Sequence, residues 1–285
     1  MDVFQEHAIS TTGDRIQDRR LAEIGGKGLF AKEIHEALSD GRIDFAVHSL
    51  KDLETELPGG IVLACTLKRE DARDALILGD AILGDTCGVE EPGDPLACLP
   101  RGAVIGTSSV RRQAQLMHVR PDLRIETIRG NVQSRLGKLR DGQYAASLLA
   151  LAGLRRLGME HEASVVLDAE MMVPAACQGI VGVTVRADDI ELRELLSAIE
   201  NPQARAVATA ERRMLAGLDG SCRTPIGGHA RLLAEGQMRL TGLVAREDGS
   251  FLLKRSLCGA PADAERIGEA LAEQLRAESP SDIFS

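Results

Sequence analysis

Short apolar runs alternate with amphipathic helical stripes through the middle of the chain, and this alternation constrains the fold most. Ala103–Gly106 predicts a strand that leads into a helix from about Val110 to Val119. Arg124–Ile128 predicts the next strand, and its helix begins after the cap Asn131 and runs to Arg140. Ala145–Leu151 is apolar throughout and predicts a buried strand. Repeated strand–helix units are typical of α/β folds with parallel sheets.

Two segments predict that the chain passes twice between two such sheets. The charged run Lys68–Asp71 indicates the first crossing, and Val173–Gly179 indicates the return. A chain that crosses twice forms two lobes with a cleft between them. We therefore expect lobe 1 from residues 1–70 and 178–200 and lobe 2 from residues 71–177. Residues 79–100 are rich in Gly, Asp and Pro and predict an excursion over the surface.

The sequence changes character after Asn201 and predicts a small C-terminal α+β domain at residues 201–285. Pro202 suits the first position of a helix, and Asp248–Gly249 suits the turn of a β-hairpin. The predicted elements are a helix at 202–218, strands near 226–234, 238–246 and 250–258, and a helix at 262–277.

Composition excludes several functional classes. The formal charge is −9, whereas nucleic-acid and anionic-membrane binders carry a basic excess. Aromatic residues make up 2% of the chain, so the core must be aliphatic and base-stacking platforms are not expected. No apolar run is long enough to span a bilayer, and the first residues do not resemble a signal peptide. We therefore expect a cytoplasmic location, where six scattered cysteines without metal spacing predict free thiols and no metal site.

Positive charge lies where a helix disfavours it. One of the two serines Ser108 and Ser109 is the expected cap of the helix at 110–119, so Arg111 and Arg112 fall in its first turn. The helix dipole disfavours cations there by about 0.3–1 kcal/mol each. A strand end followed by free helix amides and guanidinium groups is a receptor for carboxylate or phosphate. The alternative is that both arginines face solvent or pair with an acid such as Glu126.

The same chemistry follows the next two strands. Arg129 and Gly130 precede a second helix, Arg135 lies one turn into it, and Arg155–Arg156 follows the strand after that. Ligands of α/β sheets bind beyond the carboxyl ends of the strands. An acidic chain that gathers cations at one rim is predicted to bind a polyanionic small molecule.

A polar group follows the strand Ile43–His48. Ser49 and Asp52 have the spacing of a capping box, which is the structural interpretation. The functional interpretation makes Asp52 a general acid–base or cation-stabilising carboxylate beside an anion-binding Lys51. For His48 a structural role is favoured over a catalytic one.

A cysteine in a tight polar loop is a candidate for covalent chemistry. Cys222 lies among turn-forming residues beside Arg223, a setting that favours thiolate. The sequence places no histidine as its base, which suits permanent attachment better than turnover, and Cys177 is a weaker rival. Gly25–Gly28 lacks the P-loop spacing and is interpreted as flexible cover over an anion, with charge from Lys27.

Seven motifs in order resemble the porphobilinogen deaminase family, also called hydroxymethylbilane synthases, over nearly the whole chain. They are GGKGLF (25–30), VHSLKD (47–52), GTSSVRRQ (106–113), RGNVQSRL (129–136), LALAGLRRLG (149–158), PAACQG (174–179) and GSCRTPIG (220–227).

The resemblance implies an enzyme of tetrapyrrole and heme biosynthesis. Such a transferase joins four porphobilinogen molecules head to tail, releases ammonia at each condensation and yields hydroxymethylbilane. It also implies a dipyrromethane cofactor on Cys222, two periplasmic-binding-protein-like lobes and a monomer. Alternatives from other classes are a non-catalytic two-lobed module that binds a polyanion, an inactive fragment of the deaminase, and a redox protein, which the lack of a resolving cysteine disfavours.

Roles follow by position in the motifs. Asp52 would stabilise the azafulvenium-like cation that forms as ammonia leaves, which is electrostatic catalysis. The remaining residues would bind cofactor and substrate carboxylates or form the mobile segment and hinge. Cofactor binding falls to Ser49, Lys51, Ser109, Arg111, Arg112, Arg129 and Gly130, and substrate binding to Lys27, Phe30, Arg135, Arg156 and Gln178.

The chain departs from the family pattern in two places. Relatives begin with a further strand and helix of about thirty residues, and we expect this chain to lack them, which would leave an unpaired sheet edge. Glu23 stands where many relatives carry lysine, so one expected cation is absent.

Overall fold

The structure is a computed structural model that describes most of the chain. Lys27, Phe30 and Cys222 lie outside the described residues, as do Glu23 and most of the 79–100 excursion. No helix in the described part is long and apolar enough to cross a membrane. The described residues are 4–12, 31–80, 82, 94–219 and 224–284.

Lobe 1, the unit built on the first sheet, has three described strands in the order β1-β8-β2. Helix α1 (Lys32–Ser39) contacts all three strands and buries Ala37 and Leu38. Gly41 has φ +69° and lies just beyond the helix end, a position that favours glycine. The other elements are β1 (Phe45–Ser49), β2 (Ile61–Thr66), β8 (Val181–Arg186) and a helix, α5 (Ile190–Ser197).

Lobe 2, the unit built on the second sheet, has the strand order β5-β4-β6-β3-β7. Its helices α2 (Val110–Val119) and α3 (Val132–Arg140) have the bounds that the sequence predicted, because each has a side-chain cap at its start. The strands are β3 (Asp74–Leu78), β4 (Val104–Gly106), β5 (Arg124–Glu126), β6 (Ala146–Ala150) and β7 (Val165–Val166), and a short helix, α4 (Leu151–Arg156), follows β6.

The expectation of parallel sheets is wrong for part of each lobe. Among the described strands, the parallel pairs are those of β4 with β5 and β6, whereas β3 is antiparallel to β6, and β8 is antiparallel to β1 and β2. Both reversed strands directly follow a crossing. Asp74 begins β3 opposite Ala150 at the end of β6, and Val181 begins β8 opposite Ser49 at the end of β1. The chain therefore enters each sheet at the edge where its neighbours end, which is the cleft edge.

The two crossings lie side by side and are bonded to each other. Glu70 N donates to Gly179 O at 2.8 Å. Gly179 has φ +86°, and a Cβ there would lie 2.4 Å from Glu70 O, so only glycine fits this contact. Arg69 Nε donates to Gln178 O at 2.9 Å, and its Nη1 donates to the buried Glu211 Oε1 at 2.6 Å.

The C-terminal unit is a three-stranded antiparallel sheet, β11-β10-β9, with two helices. Asn201 caps the first helix through Oδ1, which accepts from Ala204 N at 2.8 Å. Gly249 in the β10–β11 turn has φ +74°, as the predicted hairpin requires. The elements are α6 (Pro202–Gly217), β9 (Ile226–Leu232), β10 (Met238–Ala245), β11 (Leu252–Gly259) and α7 (Ala264–Glu278).

The core is aliphatic, as the composition predicted, and it is shared unevenly between the units. The largest cluster joins the C-terminal unit to Leu50 and Leu53 of lobe 1 and to Ile180 beside the return crossing. Lobe 2 meets the C-terminal unit through a much smaller cluster, which includes Ala114 and Leu243.

Candidate active site

Helix α2 brings the predicted arginine pair to the cleft edge of lobe 2. Ser109 is the N-cap, and its Oγ accepts from Arg112 N at 3.4 Å. Arg111 and Arg112 occupy the first turn, but they are only 5% and 6% exposed. They do not face solvent, but both pair with an acid, as the alternative interpretation expected, and that acid is Asp74 rather than Glu126.

That carboxylate is Asp74, the first residue of β3, which is fully buried. Arg111 Nη1 donates to Asp74 Oδ2 at 2.9 Å, and Arg112 Nη2 donates to Oδ1 at 2.8 Å. Burial alone would raise the pKa of Asp74, but the two guanidinium groups outweigh it and hold that pKa well below its usual range. Asp74 is therefore an anion that neutralises one of two adjacent cations.

The arginines also use main-chain acceptors. Arg111 Nη1 donates to Val173 O at 2.7 Å, and Arg112 Nη1 donates to Leu148 O at 2.8 Å. Arg112 Nε is buried and has no hydrogen-bond partner in the described part of the chain. A charged donor without a partner is costly in a protein interior, so this nitrogen is a candidate contact for a ligand anion.

A short turn at the end of β1 carries the lobe 1 side of the site. Leu50–Asp52 form a 3₁₀ turn with Ser49 at its N-cap, but no side-chain cap bond is made. The capping-box interpretation of Ser49 and Asp52 is therefore wrong. Ser49 still belongs to β1, opposite Val181. Leu50 N donates to Ile180 O at 2.9 Å, so the first amide of the turn has a main-chain partner and needs no side-chain cap.

Lys51 and Asp52 are electrostatically coupled to lobe 2. Asp52 is accessible to solvent, yet the protein around it is dense enough that desolvation is the largest influence and raises its pKa; Lys51 and Arg112 oppose that rise. Desolvation likewise lowers the pKa of Lys51, opposed by Asp52 and assisted by Arg112. Arg112 acts on both residues, so the two lobes meet here across the cleft.

The next strand end adds two more cations. Gly130 has φ +114°, and Arg135 Nε donates to Gly130 O at 2.9 Å. Burial, together with the charges of Arg112 and Arg129, lowers the pKa of Arg135 to about 10. Burial also lowers the pKa of Arg129. These cations therefore belong to one cluster with the arginine pair.

Of two further predicted residues, Gln178 is bonded to this cluster and, among the described residues, Arg156 is not. Gln178 is buried in the return crossing, and its Nε2 donates to Ala72 O at 2.6 Å and to Asp74 Oδ1 at 2.9 Å. Arg156 ends α4 and is exposed, and within the described residues no bond joins it to the cluster. Its neighbour Arg155 pairs with Glu70 and Glu160.

Two residues weighed at the sequence level have structural roles. His48 is buried, and its Nε2 lies 2.8 Å from Thr184 Oγ1, as the structural interpretation expected. Cys177 is buried, and desolvation raises the pKa of its thiol far above the ordinary value, with Glu211 contributing. It is therefore not a reactive thiolate.

Asp74 is the site residue that sequence reasoning missed. Its signal is an aspartate opening the run Asp74–Leu78, every residue of which is buried. An acid at such a position requires an internal cation. With it, the cluster holds the carboxylates of Asp52 and Asp74 and a larger number of cations, Lys51, Arg111, Arg112, Arg129 and Arg135.

Comparison with known proteins agrees with the motif resemblance. The family model described as "Porphobilinogen deaminase, dipyromethane cofactor binding domain" matches residues 1–194, and "Porphobilinogen deaminase, C-terminal domain" matches residues 205–277. The chain belongs to the porphobilinogen deaminase family. These matches do not support the expected loss of an N-terminal strand and helix.

Curated relatives carry the same name. A porphobilinogen deaminase of Paracoccus denitrificans (strain Pd 1222) is 48% identical over 283 residues, which cover 99% of this chain and 86% of that protein. One of Nitratidesulfovibrio vulgaris (strain DSM 19637 / Miyazaki F) is 45% identical over 281 residues, 97% of this chain and 85% of that protein. The chain is therefore a transferase of tetrapyrrole biosynthesis that condenses porphobilinogen with a dipyrromethane cofactor.

The solved structures that match this chain have low TM-scores and low sequence identity. An ABC transporter periplasmic binding protein from Brucella ovis with glutathione bound has 17% identity and a TM-score of 0.36, over 66% of this chain and 53% of that one. The substrate binding protein of an amino acid ABC transporter has 14% identity and a TM-score of 0.32, over 61% and 68%. The two-lobed arrangement of this porphobilinogen deaminase family member rests on its own sheet topology.

Proposed function

We propose that Asp52 is the catalytic carboxylate of this chain and that the cations around Arg112 bind the carboxylates of the pyrroles. The observation that carries the proposal is that Arg112 of lobe 2 acts electrostatically on both Lys51 and Asp52 of lobe 1. A carboxylate in the cleft is thereby surrounded by cations contributed from both lobes.

The surroundings of Asp52 suit stabilisation of developing positive charge. When ammonia leaves porphobilinogen, the remaining pyrrole is an azafulvenium-like cation. Asp52 has no cap bond to make, and its carboxyl accepts no hydrogen bond from the described residues. A partly desolvated, pre-positioned carboxylate stabilises such a cation more strongly than water does. Lys51 and Arg112 oppose the desolvation that raises the pKa of Asp52.

The residues present fit a dipyrromethane group. Each of its rings carries an acetate and a propionate, and the cluster holds more cations than carboxylates and a buried unpartnered donor, Arg112 Nε. When bound, the group supplies the pyrrole carbon to which the first ring is joined. Ser49, Lys51, Ser109, Arg111, Arg112, Arg129 and Gly130 would hold it, while Arg135, Arg156 and Gln178, with Lys27 and Phe30, would serve the incoming rings.

Cys222 is the proposed attachment point of the cofactor. It lies in the chain between the end of α6 at Gly217 and the start of β9 at Ile226. The motif resemblance supports the assignment, as does the match of the C-terminal domain model over residues 205–277. The sequence-level rival Cys177 is buried with a raised pKa, which disfavours it.

We further propose the domain bounds given by the sequence, which are 1–70 with 178–200, 71–177, and 201–285. Membership of the three sheets supports this division. The substrate is porphobilinogen, and we infer a monomer in the cytoplasm without nucleic-acid or membrane partners. The net charge of −9 supports the absence of nucleic acid, and the free thiols of Cys65, Cys98, Cys177 and Cys258 support a reducing compartment.

Mass spectrometry and one substitution test the proposal. Intact wild-type protein is expected to carry a dipyrromethane adduct that Cys222→Ser lacks. Asp52→Asn is expected to retain the adduct and to lose about 10²–10⁴-fold in kcat, the usual contribution of a positioned acid–base group. Asp122→Asn, which removes a surface partner of Arg120, is the matched control. Turnover of Asp52→Asn close to wild type would overturn the role of Asp52, and an unmodified wild-type thiol would overturn that of Cys222.

A further inference from the structure

Asp74 joins three separate parts of the site through one buried carboxylate. Oδ2 accepts from Arg111 and Oδ1 from Arg112, both on α2, and Oδ1 also accepts from Gln178 Nε2 of the return crossing. The residue is fully buried at the cleft edge of lobe 2, where β3 begins opposite Ala150. All three contacts are buried, so the carboxylate fixes the position of all three side chains.

The charges around Asp74 do not cancel. Two guanidinium groups share one carboxylate, so the arginine pair keeps one surplus positive charge at the cleft edge. Arg112 Nε is the buried donor of this pair without a partner among the described residues. A single surplus charge with one unused donor matches one ligand carboxylate.

We propose that Asp74 is a positioning residue for the condensation, which holds Arg111 and Arg112 in the orientation that binds the pyrrole carboxylates. The proposal rests on the proposed roles of the two arginines. Asp74 also neutralises one of the two guanidinium groups, so that both can stay buried and charged at the cleft edge before the substrate arrives.

Asp74 also determines which carboxylate Arg112 pairs with, because Arg112 Nη2 donates to it. Among the described residues, Lys51 from its own turn and Arg112 from α2 act on Asp52, while Arg111, Arg112 and Lys51 act on Asp74. When the charge of Asp74 is removed, Asp52 is a described carboxylate that still attracts Arg112. We therefore expect Arg112 to turn toward Asp52 in Asp74→Asn, which would lower the pKa of Asp52 and withdraw Arg112 from the substrate.

The experiment compares Asp74→Asn and Asp74→Glu with wild type and with Asp122→Asn as the ion-pair control. We measure intact mass, the urea midpoint, kcat and KM for porphobilinogen, and the pH profile of kcat. In Asp74→Asn, KM is expected to rise about tenfold or more, the size of a lost charge-assisted hydrogen bond, and the acid limb of kcat is expected to move to lower pH. Asp74→Glu keeps the charge but displaces it by one methylene, so KM is expected to rise while the acid limb stays in place.

A purely structural role predicts a different pattern. Activity would then fall only in proportion to the folded fraction, with KM and the acid limb unchanged, and that result would overturn the proposal. If Asp74→Asn does not fold, Asp74→Glu decides, because a KM equal to that of wild type would also overturn it. The wild-type adduct mass and Asp52→Asn are measured in the same series, so a failure of the proposed roles is seen separately from a failure of Asp74.

Discussion

The two sides of the cleft hold their charged residues in opposite ways. On lobe 2, Arg111 and Arg112 are buried, follow a capped helix start and share an internal carboxylate, Asp74. On lobe 1, Lys51 and Asp52 lie within a turn of three residues that has no side-chain cap, and Asp52 is accessible to solvent. The side proposed for binding makes most of its hydrogen bonds within the protein, with Arg112 Nε as the exception among the described residues, whereas the carboxylate proposed for catalysis accepts none from them.

This contrast has a physical reason. Residues that bind a ligand repeatedly benefit from being fixed beforehand, because less side-chain entropy is then lost on binding. A carboxylate that stabilises a passing cation has to meet that charge directly, so a hydrogen bond to its own backbone would weaken it. The missing capping box at Ser49 and Asp52 is therefore consistent with the role proposed for Asp52.

The largest expected difference between the two lobes is in how acid affects the free energy of unfolding. His48 of lobe 1 is buried, and desolvation, with the neighbouring His35, lowers its pKa to about 4. The unfolded chain takes up this proton near pH 6.5, so stability is full above that pH and is lost as the pH falls toward 4, by about 3 kcal/mol. Asp74 of lobe 2 contributes little to this loss. Because its pKa is lowered, the stabilisation that it provides is lost mainly at pH values below the ordinary pKa of aspartate.

Urea unfolding between pH 7 and pH 4 measures this loss. His48→Gln is expected to flatten the pH dependence of the unfolding free energy, and part of the slope should persist because the pKa values of His35 and His229 are also lowered. An unchanged slope in His48→Gln would contradict the assignment.

A smaller effect is expected from two glycines of lobe 2. Gly130 has φ +114°, and a Cβ there would lie 2.6 Å from Ser134 Oγ, so Gly130→Ala is expected to cost about 2 kcal/mol. Gly142 has φ +70° in open space, so Gly142→Ala should cost about 1 kcal/mol. Only Gly130→Ala should also raise KM, because Arg135 Nε donates to Gly130 O. Equal costs with equal KM values would show that Gly130 does not position Arg135.

The smallest effect compares the two serines at the start of the charged turns. Ser109 caps α2 through a long bond of 3.4 Å, so Ser109→Ala is expected to lower the unfolding free energy by about 0.5–1 kcal/mol. Ser49 makes no cap bond, and Ser49→Ala should change it by less than about 0.5 kcal/mol. Thermal or urea unfolding of both variants checks the difference, which would vanish if neither serine caps its turn.

Local signals could be predicted from the sequence, and long-range ones could not. The bounds of α2 and α3 followed from caps a few residues away, and the strands of the C-terminal unit from their turns. The reversal of β3 and β8 depends on the edge at which the chain enters each sheet, which no local pattern records. Asp74 was missed for the same reason, because its partners Arg111 and Arg112 are distant in the sequence.

The uneven sharing of the core has a consequence for how the cleft can open. The C-terminal unit packs on Leu50, Leu53 and Ile180 through the largest apolar cluster, but on lobe 2 through a small one with Ala114 and Leu243. Rotating lobe 2 away from the C-terminal unit therefore exposes less apolar surface to water than separating lobe 1 from that unit would. We therefore expect the cleft to open by rotation of lobe 2, which carries the arginines. Lobe 1 with Asp52 and the C-terminal unit, to whose sequence Cys222 belongs, would stay together as one body.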